Sequence, residues 1–395
     1  MRCACSIGVV VATLLACEPQ PVAAQCTFTA RTGLPDPLVG RDGTCLTTLA
    51  QWPRRREELL DLFAGTIYGR APGQPERLDF EVRTRDAAAM GGAATLKRVD
   101  IVSRHQGRVH TFELILFTPN AQRPRGVFLL LSTRPDRHTD PTRVERSEYW
   151  PAEDVIARGY GIASLQTDHL APDDRATFTR GVIELFEGPV PEAQRPREAW
   201  KTIAAWSWGA RRAMDYLETD PDVDPARVAI VGHSRGGKAA LWAGALDERF
   251  ALTVSNESGC AGAALSRRPV GETVELVNAV FPHWFADTFR RYGGREDELP
   301  VDQHELLALI APRGVAVGSA AADEWSDPEG EFQGLAYASP VFALWGHPAV
   351  DPAAWPRVDE PLFAFPRGYQ LRPGAHGLTG VDWQRYLDVA DQLWP

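Results

Sequence analysis

Five short apolar runs constrain this chain more than any other feature: GVFLLLS (126–132), GYGIASLQ (159–166), RVAIVG (227–232), FALTVSN (250–256) and GVAVGS (314–319). Each is short and nearly free of polar residues, the pattern of a strand buried on both faces. Helical segments lie between them. Residues 197–218 carry Ile203, Trp206, Ala210, Ala213 and Leu217 at helical spacing, and 236–247 form a second helical stretch directly after the third run. Strands alternating with helices predict an α/β fold, a three-layer sandwich around a mostly parallel central sheet. Three earlier segments, LDFEVRTR, LKRVDIVSR and RVHTFELILFTP, alternate apolar with polar residues instead and predict an antiparallel edge. Residues 26–60 read as a polar arm leading into the helix REELLDLFAGTIYG. With no repeat and no shift in composition, residues 25–395 are expected to form one domain with an N-terminal arm.

Composition adds few limits. Hydrophobic residues make up 44% and charged residues 24% of the 395, as in soluble globular proteins. A net charge of -10 weighs against nucleic acid as a partner, so an acidic ligand would need its positive charge gathered locally. The start, MRCACSIGVVVATLLAC, pairs one Arg with a short apolar run, too short to span a membrane, and reads as a secretory signal over residues 1–24. PVAA before Gln25 fits ordinary cleavage after Ala24, the preferred reading, and places the protein in the periplasm or outside the cell. LLAC resembles a lipoprotein box, which would anchor the chain through a lipid on Cys17. In an oxidising compartment Cys26 and Cys45 are the expected disulfide, with Cys260 left as a buried thiol.

The third apolar run ends in Gly232-His233-Ser234-Arg235-Gly236, and a helix rich in small residues follows. G-x-S-x-G between a buried strand and a helix is the nucleophile elbow of the α/β-hydrolase fold, a sharp turn that exposes the serine hydroxyl. The helix start behind it offers free N–H groups to a developing oxyanion. A neutral serine needs a base, and chain order places it last, after the acid. His376, in RPGAHGLTG just before the helix DWQRYLDVADQLW, fits that place better than His283, His304 or His347. The acid has two homes: Glu257 after FALTVSN, and Asp323 or Asp327 after GVAVGS. Spacing alone does not choose between them. Arg235 stands at a helix start, where the macrodipole disfavours a cation, a local misfit that points to function. Lys238 lies one helical turn beyond Ser234.

Several longer motifs together resemble one family: AAWSWGARRAMDYLETDPDVD, VGHSRGGKAALWAGALDERFAL, SNESGCAGAALSRR, GETV, FPHWF, LPVDQHELLALIAPR and DEWSDPEGEF, over roughly residues 55–395. The chain is similar to the bacterial glucuronoyl esterases (4-O-methyl-glucuronoyl methylesterases), carbohydrate esterase family fifteen. The resemblance implies hydrolysis of esters of glucuronic or 4-O-methylglucuronic acid, as in links between glucuronoxylan and lignin. It implies Ser234 as nucleophile, His376 as base, and Glu257 or Asp323 as acid, with Glu257 ranked first and Asp327 behind. It further implies Arg235 in the oxyanion hole, and Lys238, Glu272 and Trp325 on the sugar. Core packing for Trp325 and a surface position for Glu272 are the plain alternatives. The chain is expected to act as a monomer with no metal and no cofactor, there being no H-x-x-x-H pair and no cysteine cluster of ligand spacing. Two loops depart from the family: TRPDRHTD after the first apolar run and LQTDHLAPD after the second. They bear on the second oxyanion donor and on substrate range. An esterase of the same fold acting on acetylated sugars, and a non-catalytic carbohydrate-binding protein, are the competing readings.

Overall fold

The computed structural model describes residues 28–395. The signal reading of residues 1–24, its cleavage alternatives at Ala24 and Cys17, and Cys26 lie outside the described residues. Cys45 is disulfide-bonded. Cys260 is a buried free thiol.

Among the described residues, ten strands build one sheet: β1 (Arg77–Ala89), β2 (Ala94–His105), β3 (Arg108–Pro119), β4 (Val127–Ser132), β5 (Gly161–Gln166), β6 (Val228–His233), β7 (Phe250–Asn256), β8 (Gly314–Ala320), β9 (Leu362–Ala364) and β10 (Arg367–Arg372). Their order is β1-β2-β3-β5-β4-β6-β7-β8-β10-β9. From β5 to β10 in that order the strands run parallel. β1, β2 and β3 form the antiparallel edge that their alternation predicts.

The five apolar runs are strands because both faces are covered. In β4, Leu129 and Leu131 face a core that includes Ile203, Trp206 and Ala210 of the helix Thr202–Leu217. Phe128 and Leu130 face the opposite layer with Trp150 and Trp383. Phe128 meets Trp383 edge-on at 6.0 Å, a geometry that adds about 1 kcal/mol to the burial itself. β10 escapes the apolar pattern because Arg367, Gln370 and Arg372 interrupt it. All of its residues are nonetheless buried: Arg372 is held by ion pairs and a carbonyl group, and Arg367 donates to the Ser339 hydroxyl and the Pro348 carbonyl.

Register brings the carboxyl ends together. Leu131 pairs with Gly232, His233 with Asn256, Asn256 with Gly318, and Arg372 with Ala320. The chain after β4 turns to β5 on one side and returns to β6 on the other. Ser234 therefore follows the strand at the switch point, where α/β sheets open a crevice.

The elbow itself depends on close backbone approach. Ser234 has φ 57° and ψ −129°, a strained conformation for a side-chain-bearing residue. A Cβ on Gly232 would lie 2.0 Å from the backbone oxygen of Gly236. Backbone cannot rotate away as a side chain can. Gly232→Ala is expected to cost about 2–3 kcal/mol of stability, read as a lower denaturant midpoint, and to abolish activity by displacing Ser234.

Candidate active site

His376 lies in the loop between β10 and the helix Gly380–Leu393. Its Nδ1 is 2.6 Å from Asp323 Oδ2 and 3.1 Å from Glu257 Oε2. The contact with Asp323 is a hydrogen bond. A carboxylate can only accept, so Nδ1 carries the proton and the neutral ring keeps its lone pair on Nε2. The structure thus brings both acids of the sequence reading to one nitrogen, and the shorter contact belongs to Asp323 rather than to Glu257. Asp327 does not join them. It caps the helix Pro328–Tyr337 by accepting from the Gly330 N–H and pairs with Arg268 at 2.8 Å.

Glu257 sits at φ 48° directly beyond β7, with its N–H bonded to Gly318 O at 2.7 Å. Its carboxylate is shared. Oε1 meets Arg372 at 2.5 Å, and Oε2 accepts the Gly377 N–H at 2.7 Å. Arg372 gathers the rest of the histidine loop. Its guanidinium donates to the carbonyls of Pro373, Ala375 and Gly377 and to Asp382. Asp382 in turn accepts from the Thr379 N–H and hydroxyl at the helix start. The sequence reading assigns Arg372 no role, although it lies in the RPGAHGLTG segment that carries His376. Its partners are spread over the fold, and no local pattern reveals them.

These contacts set the proton affinities. Burial alone would lower the His376 pKa, but the hydrogen bonds and charges of Asp323 and Glu257 outweigh it and raise it to about 9. Burial raises Glu257, with His376 and Arg372 opposing. Asp323 is pushed upward by burial as well, yet the hydrogen bonds from His376 and Ser326 hold it below the usual carboxylate range. His233, under His376 with ring centroids 4.5 Å apart, donates from Nδ1 to Asn256 at 2.7 Å. Asn256 fixes that direction, because its own amide donates to Tyr386. Burial drives the His233 pKa down to about 3, so it is a neutral platform beneath the His376 ring. Ligand atoms of His233, Glu257 and His376 lie within 4.8 Å of one another. A cation there would face the Arg372 guanidinium already on Glu257, which opposes metal binding.

Ser234 is partly exposed at the mouth of the crevice. Its N–H donates to Asn256 O at 2.8 Å, which pins the elbow to β7. Arg235 is one-third exposed. Its Nε lies 2.6 Å from Asp173 Oδ2, and its guanidinium also reaches Thr133 O at 3.4 Å. Asp173 and Thr133 belong to the two unusual loops, so both loops reach the elbow.

Lys238, Glu272 and Trp325 are neighbours. Lys238 Nζ pairs with Glu272 Oε2 at 2.5 Å and donates to the carbonyl of Cys260. The Glu272 N–H donates to the Trp325 carbonyl at 2.8 Å. Lys238 and Glu272 are buried, whereas the Trp325 side chain is 46% exposed and is not part of the core. The other histidines have structural partners. His283 bonds Asp173 at 2.9 Å, His304 bonds Pro35 O and stacks on Phe28, and His347 packs on Phe342 and Phe365.

A serine elbow at a sheet switch point, with a histidine and two carboxylates on the same edge, defines an α/β-hydrolase. A family model described as glucuronyl esterase of fungi matches residues 196–346. A curated carbohydrate esterase from an unknown prokaryotic organism is 40% identical over 91% of this chain and 89% of its own length. A 4-O-methyl-glucuronoyl methylesterase of Schizophyllum commune is 29% identical, over 81% of this chain and 75% of its own. Among solved structures, a glucuronoyl esterase from Solibacter usitatus superposes with a TM-score of 0.83 at 40% identity, covering 92% of this chain and 98% of that one. A family-fifteen esterase from a marine bacterial metagenome, described as promiscuous, gives 0.81 at 39% identity, covering 91% and 96%. The chain belongs to the glucuronoyl esterases of carbohydrate esterase family fifteen, which are carboxylic ester hydrolases.

Proposed function

We propose that the protein hydrolyses esters of glucuronic and 4-O-methylglucuronic acid, including those joining glucuronoxylan to lignin, through an acyl-enzyme on Ser234. The observation that carries the mechanism is His376, held through Nδ1 by Asp323 at 2.6 Å and Glu257 at 3.1 Å on the same sheet edge as the strained Ser234. In the first half, His376 Nε2 takes the hydroxyl proton as Ser234 Oγ bonds to the ester carbonyl carbon. The tetrahedral oxyanion meets the Arg235 guanidinium and the N–H groups at the helix start. The carbon–oxygen bond to the alcohol then breaks, and His376 returns the proton to the departing alcohol. Water repeats the sequence on the acyl-enzyme and releases the uronate. Every proton and bond is accounted for by the chain and water. Glu257, besides contacting Nδ1, ties the histidine loop to Arg372.

Kinship with 4-O-methyl-glucuronoyl methylesterases supports the substrate class. The grouping of Lys238, Glu272 and Trp325 supports it too: an exposed aromatic face suits a pyranose ring, and Glu272 Oε1 is left for a sugar hydroxyl once Oε2 has taken Lys238. The disulfide at Cys45 supports an oxidising compartment. Arg235→Gln is expected to lower kcat about 10²-fold with little change in KM, as an interaction made mainly in the transition state requires. Steady-state kinetics on benzyl glucuronate check this.

Relative rates on benzyl glucuronate and 4-nitrophenyl acetate test the reading as a whole. A preference for the uronate ester is expected, and a strong preference for acetate would sink it. Activity on other sugar esters, acetylated ones included, is the second reading. It is favoured by the description of the metagenomic relative as promiscuous.

A further inference from the structure

We propose that Asp173 is a positioning and charge-compensating residue for Arg235, which lets the site release its anionic product. The inference rests on the esterase reading above and adds a residue outside the Ser–His–acid set. Asp173 follows β5 on one of the two unusual loops. Its Oδ2 lies 2.6 Å from Arg235 Nε. Its Oδ1 accepts from Trp284 Nε1 at 2.6 Å and from His283 Nε2 at 2.9 Å. Trp284 is itself fixed, stacked on Phe281 at 3.7 Å with Lys238 Nζ 5.9 Å from its ring. Asp173 therefore cannot swing away from Arg235. Burial works to raise its pKa, but the hydrogen bond from His283 and the Arg235 charge outweigh it and keep the carboxyl ionised.

The consequence follows from the charges along the reaction. The substrate ester is neutral at its carboxyl, and the oxyanion is transient. The product is a permanent carboxylate at neutral pH, left beside the same donors. A bare guanidinium would hold that product as a salt bridge. An ionised Asp173 beside Nε cancels much of the net charge and, with the Thr133 carbonyl, holds the guanidinium in place, so that its remaining N–H groups can still donate. The oxyanion still finds directed donors, and the product meets little net attraction.

Calorimetry tests this with two ligands, D-glucuronate and its methyl ester, in a Ser234→Ala background where the ester survives. Asp173→Asn, with Asp173→Ser as a second neutral replacement, is expected to tighten glucuronate about tenfold with the ester affinity unchanged. Asp173→Glu, which keeps the charge, is expected to hold the acid-to-ester ratio of the background. A loosened or misfolded site would weaken both ligands together. A ratio that stays fixed or falls in both neutral variants overturns the proposal while leaving the esterase reading intact. Binding of neither ligand to the background, or hydrolysis of the ester by it, would overturn the esterase reading and this inference with it.

Discussion

Replacing Ser234 with alanine is expected to lower kcat/KM on benzyl glucuronate by about 10^5-fold and to leave the thermal midpoint unchanged. The size follows from losing the nucleophile of the mechanism proposed above, one of a set of groups that act as a unit; what survives comes from binding and oxyanion donors alone. The unchanged stability follows from local structure. Alanine keeps the Cβ that already sits at φ 57°, so the strain of the elbow is not increased. Ser234 Oγ makes no hydrogen bond among the described residues, so none is lost. The pin to β7 is the backbone N–H of residue 234 on Asn256 O at 2.8 Å, which the substitution retains. Rates and a melting curve on the same preparation check both halves. Residual activity within tenfold of the parent would mean that another group attacks the ester.

The second large effect is expected at the two carboxylates. Removing both, as Glu257→Gln with Asp323→Asn, is expected to lower kcat by about 10^4-fold. The amides can donate to Nδ1 and so favour the wrong tautomer, and no negative charge would stabilise the imidazolium. Either change alone is expected to cost only about 10- to 100-fold, because the other carboxylate still faces the same nitrogen. Asp323→Asn should be the more costly in rate, since its contact with His376 is the shorter. Glu257→Gln should be the more costly in stability, since the buried Arg372 loses one of its two carboxylate partners.

The pH profile separates these roles from simple damage. The base works in its neutral form, so activity rises with pH through the His376 pKa. Both carboxylates raise that pKa. Deleting either one lowers it, so the acid limb of kcat/KM should move to lower pH by about one unit. An acid limb that does not move in either single variant would show that neither carboxylate governs the proton on His376.

Much of this architecture is legible in local sequence. A run such as RVAIVG is apolar throughout because both faces of β6 are covered, and period alone distinguishes it from the alternating strands at the antiparallel edge. The elbow is equally local: strand, turn and helix are contiguous, and Gly232 is needed because the chain folds back on itself within four residues. β10 is not legible in this way. Its arginines are buried through partners elsewhere in the chain, and hydropathy carries no record of partners. Trp325 poses the same difficulty, since a tryptophan in sequence reads equally as core or as platform. Only the exposure of its side chain decides that it is not core.

The sequence by itself determined the α/β-hydrolase fold, the nucleophile elbow and the loop that carries the histidine, because each is written in contiguous residues. Tertiary structure alone decided how the acids share His376, what Arg372 holds together, and what stands beside Arg235. Asp323 lies 53 residues from His376, and Glu257 lies 120 from Gly377. They meet only because parallel pairing aligns the carboxyl ends of β7, β8 and β10. A hydrogen bond between distant strands depends on register and angle, which no spacing along the chain encodes.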